Sequence, residues 1–228
     1  MRRESWPNRL WLVCSLLAFD MAALDAAAAA PLSDPRFAPA LREASSPARG
    51  ALAAATADSR VVALVPDADR RLVAIDLIEE KVDGGRDSRA EQLRAIVAGR
   101  RSAAAVTFDA DSGRIVRVER FDPLRAPFDE VDLQRATALA LQDPQVREFL
   151  GARAGRFMPQ LTAAQDGRPF MVQMLPVRGI LPTDPCTRAR CVDLIFRAER
   201  GYLTGRRVTV DLTNDRVQVT GSRVSRHD

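Results

Sequence analysis

Cys186 and Cys191, separated by Thr-Arg-Ala-Arg, are the first residues whose spacing suggests chemistry. In a chain that opens like an exported protein, two cysteines this close read as a disulfide closing a short loop. Free thiols are a second reading. Half of a zinc site is a third, and it is short of ligands: the only histidine is His227, one residue from the end, and no second cysteine pair completes four donors. A disulfide here would restrain the unfolded chain by about 2–3 kcal/mol, enough to hold one turn. Around the pair gather Arg188, Arg190, Arg197, Arg200, Arg206 and Arg207. These are candidate contacts to an acidic surface or polyanion, and a solvated face of mixed charge is the plainer reading.

Acid–base and nucleophilic chemistry find less to work with. Asp76, Glu79 and Glu80 lie close together, but the paired carboxylates of a glycosidase flank a cleft, and no aromatic sugar platform accompanies these. They read as a solvated strand end. Asp109-x-Asp111-x-Gly113 has the opening spacing of a calcium loop, yet Arg120 stands where the closing glutamate belongs. A hairpin turn fits better. A serine nucleophile needs a neighbouring base, and the chain offers Lys81 as its single lysine and no internal histidine. These deficits predict a protein without catalytic residues, cofactor or metal.

With 228 residues, 46% hydrophobic and 28% charged, the chain has the composition of one large globular domain or two small ones. The net charge is +4, but basic and acidic side chains alternate along the whole length, which argues against a nucleic-acid partner. Residues 1–30 read as a secretory signal peptide: Arg2, Arg3 and Arg9 precede an apolar run from Leu10 to Phe19 and an alanine tract ending at Ala30. A membrane anchor is the alternative, but it needs about 20 uninterrupted apolar residues, and Asp20 and Asp25 break the run. Arg2-Arg3 hints at twin-arginine export, which Glu4-Ser5-Trp6 fit poorly. Val13 is bulky for the position before a lipidated cysteine, which weighs against Cys14 in that role. The expected location is secreted or periplasmic, free of the membrane after cleavage. Cleavage removes Trp6 and Trp11, the only tryptophans, and with them the aromatic platforms that single-stranded nucleic acid requires.

The elements that must position these residues come in two rounds, over 31–123 and 124–228. Asp34-Pro35 and Ser46-Pro47 each place a cap before a proline and predict a broken helix to about Thr56. Strands are expected at Arg60–Val65 and Leu72–Val82, then a helix from the capping-box spacing at Ser88 to Gly99, then a hairpin of Ala103–Phe108 and Arg114–Phe121. In the second round Asp129 caps a helix with Leu133, Ala136, Leu139 and Ala140 on one face, and Asp143-Pro144 restarts it as far as Gly151. Strands follow at Arg156–Leu161, Phe170–Leu175, Cys191–Ala198, Arg207–Leu212 and Arg216–Thr220; the last three largely alternate apolar with polar. The predicted class is α+β, two tandem units of a helix packed on an antiparallel sheet.

Three stretches carry a family resemblance: Leu72–Lys81 (LVAIDLIEEK), Arg100–Asp109 (RRSAAAVTFD) with the strand beyond it, and Leu139–Arg147 (LALQDPQVR). They resemble the paired cystatin-like domains at the N-terminus of copper amine oxidases, in the same order, over most of residues 31–228. The resemblance implies two cystatin-like units. It does not bring the family's chemistry, because copper and the quinone cofactor there belong to a separate C-terminal domain with three histidine ligands and a Thr-x-x-Asn-Tyr motif. Here Tyr202 sits in Glu-Arg-Gly-Tyr-Leu-Thr and His227 has no partner imidazole. The expected helix at 88–99 and the cysteine clip also depart from the family pattern. Cystatin inhibitors carry a Gln-x-Val-x-Gly loop; Gln218-Val219-Thr220-Gly221 is one residue short of it and reads as a strand end.

The expectation is an exported non-catalytic module for binding or association, with another exported protein as partner. An accessory or remnant of an amine oxidase system, and a small-molecule enzyme built on a cystatin-like sheet, are the alternatives.

Overall fold

The computed structural model describes residues 30–79, 90–159, 170–199 and 201–221. The fold is α+β, with helices packed on two sheets. In the first half Asp34 accepts from the Arg36 amide and starts a short 3-10 turn that runs into α1 (Ala38–Glu43). Ser45 accepts from the Ala48 amide at 3.2 Å and starts α2 (Ser46–Ala54), so the cap lies one residue earlier than Ser46. Asp58 accepts from the Arg60 amide and starts α3 (Ser59–Leu64).

That third helix corrects the strand expected at Arg60–Val65. A Val-Val-Ala-Leu run has strand composition, but Asp58 provides a cap, and Val61 and Val65, four apart, are both fully buried on one helical stripe. A second correction follows. The segment expected as a capping-box helix is β2 (Ala90–Ala98), paired antiparallel on one side with β1 (Arg71–Glu79) and on the other with β3 (Ala103–Asp109). Ser88, Arg89 and the Glu80–Val82 end of the expected strand lie outside the described residues. With β4 (Ile115–Phe121) the four strands form a meander in sequence order.

The two faces of this sheet explain the misreading. Leu93, Ala95 and Val97 face the helices and pack with Ala48, Leu52, Val61 and Phe108. Ile96 and Ala98 face the other way, and they too are buried, with Val73, Ala103, Ala105 and Ala126. A strand buried on both faces loses the alternation that distinguishes it from a helix.

At the β3–β4 turn Asp109 Oδ1 accepts from both the amide and the hydroxyl of Ser112, each at 2.7 Å. Those hydrogen bonds hold its carboxyl below the usual range, the expected state of a turn aspartate. Gly113, at φ 69°, lies so close to the Pro47 backbone that any side chain there would collide with it.

In the second half a 3-10 turn capped by Asp122 leads to α4 (Glu130–Gln142) and α5 (Pro144–Leu150). Asp143 accepts from the amides of Gln145 and Val146, and Gly151, at φ 59°, ends α5 as expected. The sheet comprises β5 (Met158–Pro159), β6 (Met171–Val177), β7 (Cys191–Ala198), β8 (Gly201–Tyr202), β9 (Arg207–Asp211) and β10 (Arg216–Thr220). Its order is β10-β9-β7-β6-β5, with β8 beside β7. All pairs are antiparallel except β5–β6. Of the strand expected at Arg156–Leu161 only Met158–Pro159 is extended; 3-10 turns occupy Gly151–Arg156, and the residues from 160 lie outside the described set.

Leu133, Ala136, Ala140, Val146 and Leu150 pack on Val172, Val192, Leu194, Val208 and Val210. Phe157 makes edge-to-face contacts with Phe170 and Phe196, with centroids 5.4 and 5.3 Å apart. Among the described residues no helix is long and apolar enough to cross a membrane.

Candidate functional site

The N-terminus of α4 is where the two halves meet. Asp129 Oδ1 accepts from the Asp132 amide at 2.9 Å and Asp132 Oδ2 accepts from the Asp129 amide at 3.4 Å, so each carboxylate covers an amide of the first turn. Two arginines then close on the pair. Arg71, at the start of β1, donates to Asp129 through Nε at 2.5 Å and Nη2 at 2.8 Å, and reaches Asp132 at 2.8 Å. Arg190, just before β7, donates from Nη2 to Asp132 at 2.9 Å and to the Pro127 carbonyl at 3.1 Å, with its guanidinium 4.6 Å from the centre of the Phe128 ring. Asp129, Asp132 and Arg190 are 5%, 3% and 4% exposed.

A second clamp lies nearby. Asp215, in the β9–β10 turn at φ 54°, is held by Arg100 and by Arg135, the latter at 2.5 Å; Arg100 also donates to the Thr213 carbonyl at 2.9 Å. Arg100 belongs to the first half and Arg135 to α4, so one aspartate ties three elements.

Burial alone would raise the Asp129 carboxyl, but the hydrogen bonds and charge of Arg71 outweigh it and hold the group below the usual carboxylate range. Burial would likewise lower Arg71, and its two aspartates raise it above the ordinary arginine value. Both partners therefore stay charged at neutral pH. Such a pair holds elements together and does not exchange protons. Asp76, considered above as an acid, pairs across the strands with Arg94 at 3.0 Å in an exposed position.

Beside Arg190 lies an open groove of about 560 Å³. Leu124, Arg125 and Phe128 form one wall, and Met174, Pro176 and Arg178 at the end of β6 form the other. The Cys186–Cys191 disulfide, with Cα atoms 5.5 Å apart, lines it as well and closes the last residues of the loop between β6 and β7. Asp184 accepts from the Cys186 amide at 2.8 Å and starts the single 3-10 turn inside that loop. Directly after the lining residue Gly179 the same loop carries Ile180 and Leu181, 93% and 64% exposed.

The six arginines grouped by sequence separate in space. Arg190 is inside the junction and serves the protein itself. Arg188 is exposed on the clipped loop, and Arg197 is exposed on the face of β7 away from the helices. Arg207 pairs with Asp193 at 2.7 Å, and Arg206 donates to the Gln145 carbonyl at 3.4 Å. Arg200 lies outside the described residues. Of the five that are described, only Arg190 lines the groove. Sequence reasoning missed Arg71, Asp132, Phe128, Arg178, Ile180 and Leu181. A signal existed for the last two: an apolar pair set between Gly179 and Pro182, where a turn gives it nothing to pack on. Among the described residues no group of three or more His, Cys, Asp or Glu side chains is placed to hold a metal ion.

No protein family matches the chain, and no curated protein matches it. Among solved structures, a copper-containing benzylamine oxidase from Hansenula polymorpha is similar over 68% of this chain, with 11% identity and a TM-score of 0.43. The match covers 26% of that protein, and a likeness this loose assigns neither family nor activity.

Proposed function

We propose that the chain is an exported, non-catalytic binding module that associates with another exported protein through the groove between residues 122–128 and the clipped loop. The carrying observation is the exposure of Ile180 and Leu181, which directly follow the groove-lining Gly179 in a loop where the Leu181 carbonyl accepts from the Asp184 amide at 2.9 Å and whose last residues a disulfide closes. Exposed aliphatic side chains on a restrained loop keep their shape for a partner and lose little conformational freedom on binding. The arginine–aspartate clamps serve a different end, fixing the two halves so that both walls of the groove keep their spacing. Export is supported by the basic, apolar and alanine-rich order of residues 1–30.

A photo-crosslinking residue at position 181, introduced into the chain expressed in its host, tests the reading. Cross-linked partner from position 181 and none from position 117 on β4 is the expected result. Equal labelling at both positions, or stoichiometric copper with amine turnover in the purified protein, overturns it. The second reading, an accessory of a separately encoded amine oxidase, is supported by the resemblance of residues 72–81, 100–109 and 139–147 to that family's N-terminal domains. It would identify the cross-linked partner as the catalytic subunit.

A further inference from the structure

The chemistry at the rim of the groove narrows what can fill it. Arg178 lines the groove and is exposed, and Arg188 is exposed on the clipped loop. Neither forms an ion pair with a described carboxylate, unlike Arg71, Arg100, Arg135 and Arg190. Arg125 on the opposite wall has only Asp122, at 3.6 Å and well exposed, a pairing that contributes little. Among the lining residues Arg178 is thus the arginine without a described carboxylate partner, with Arg188 on the adjoining loop adding to the positive charge. The lining is mixed, with Phe128, Met174, Pro176 and Val177 supplying its apolar part.

Resting on the proposed association role, we infer that the groove takes an acidic, apolar-bearing polypeptide segment of another protein. Its apolar side chains lie against Phe128, Met174 and Leu181, and its carboxylates meet Arg178 and Arg125. A small molecule in the groove would leave Ile180 and Leu181 in water, whereas a polypeptide covers groove and loop together. A second copy of this chain docked groove to groove would cover them too, but that two-fold contact would set Arg178 and Arg188 against the same arginines of the partner, and like charges at a closing interface oppose association. Carboxylates on a foreign segment do the reverse, since the guanidinium fork suits them in geometry as well as charge.

The test uses an array of short random-sequence peptides in which net charge and apolar content vary independently, probed with the full oxidised protein. Binding is expected to rise with acidic charge only in peptides that also carry aliphatic or aromatic residues, and to weaken with added salt. For the best peptide, Leu181→Asp lowers affinity about tenfold or more and Arg178→Glu does the same, while Arg117→Glu on β4 leaves it unchanged. A preference for basic or uncharged peptides, or binding by the Leu181→Asp and Arg178→Glu variants as tight as that of the parent, overturns the inference. Sedimentation as a dimer that Leu181→Asp disperses assigns the groove to a second copy and overturns it as well. The cross-linking result at position 181 is independent of peptide composition, so a partner found there with no acidic preference on the array removes this inference and leaves the association role standing.

Discussion

The α4 junction and the rim of the groove are both rich in arginine, and they use it in opposite ways. At the junction Arg71, Arg100, Arg135 and Arg190 each have a carboxylate partner, and Asp129, Asp132 and Arg190 are almost fully buried. At the rim Arg178 and Arg188 are exposed without a described carboxylate partner, next to two aliphatic side chains in solvent. Charge removed from water needs permanent compensation, so the junction is committed to holding the fold. Charge left in water beside apolar surface carries no such commitment and remains available to a partner.

Removing one partner of the buried cluster should have the largest effect. Asp132→Ala leaves Arg190 buried without its carboxylate and takes one contact from Arg71, at an expected cost of about 3–5 kcal/mol in urea unfolding. A cost under about 1 kcal/mol would show that water already reaches the junction. Acid sharpens the same contrast. The Asp129 pKa is lower folded than unfolded, so its contribution is fully present above about pH 4, the ordinary aspartate range, and is lost as pH falls through the folded value. Asp129→Asn should lose stability at neutral pH and show a flatter decline on the acid side. Parallel acid profiles for the two proteins would mean that Asp129 is not held down by Arg71.

The clip should matter less to the whole and more to the rim. Replacing both Cys186 and Cys191 with alanine is expected to cost about 2 kcal/mol, the restraint from so short a loop. Amide exchange should quicken most around residues 186–191, and in α4 by no more than the factor of about 30 that a global loss of about 2 kcal/mol allows. A larger rise across the second sheet than around the clip would show the disulfide holding the core instead of the groove wall.

Local signals were readable wherever one segment carried the whole cause. Asp129, Asp143 and Gly151 mark the ends of α4 and α5 in the sequence because a cap needs only its own first or last turn. The alternation in β7, β9 and β10 was visible because one face is buried and the other is wet. β2 was not, since Ala126 and its neighbours bury the second face as well. The junction left no trace either. Arg71 and Asp129 are 58 residues apart, as are Asp132 and Arg190, and nothing local requires them to meet. Grouping arginines by sequence put Arg190 with Arg188, although one is inside the protein and the other outside it.

The smallest expected effect separates the two regions most cleanly. Leu181 is 64% exposed, so Leu181→Asp removes little buried surface and should leave unfolding stability within about 0.5 kcal/mol of the parent. A residue placed to support the fold could not be replaced by a charge so cheaply. Peptide binding at the groove should fall by contrast, because a carboxylate would then stand where an acidic segment must lie, repelling its charge and removing its apolar contact. A loss of more than about 1 kcal/mol in urea would place Leu181 among the packed residues of the loop. The rim would then support the fold as the junction does, and the contrast between the two regions would fail.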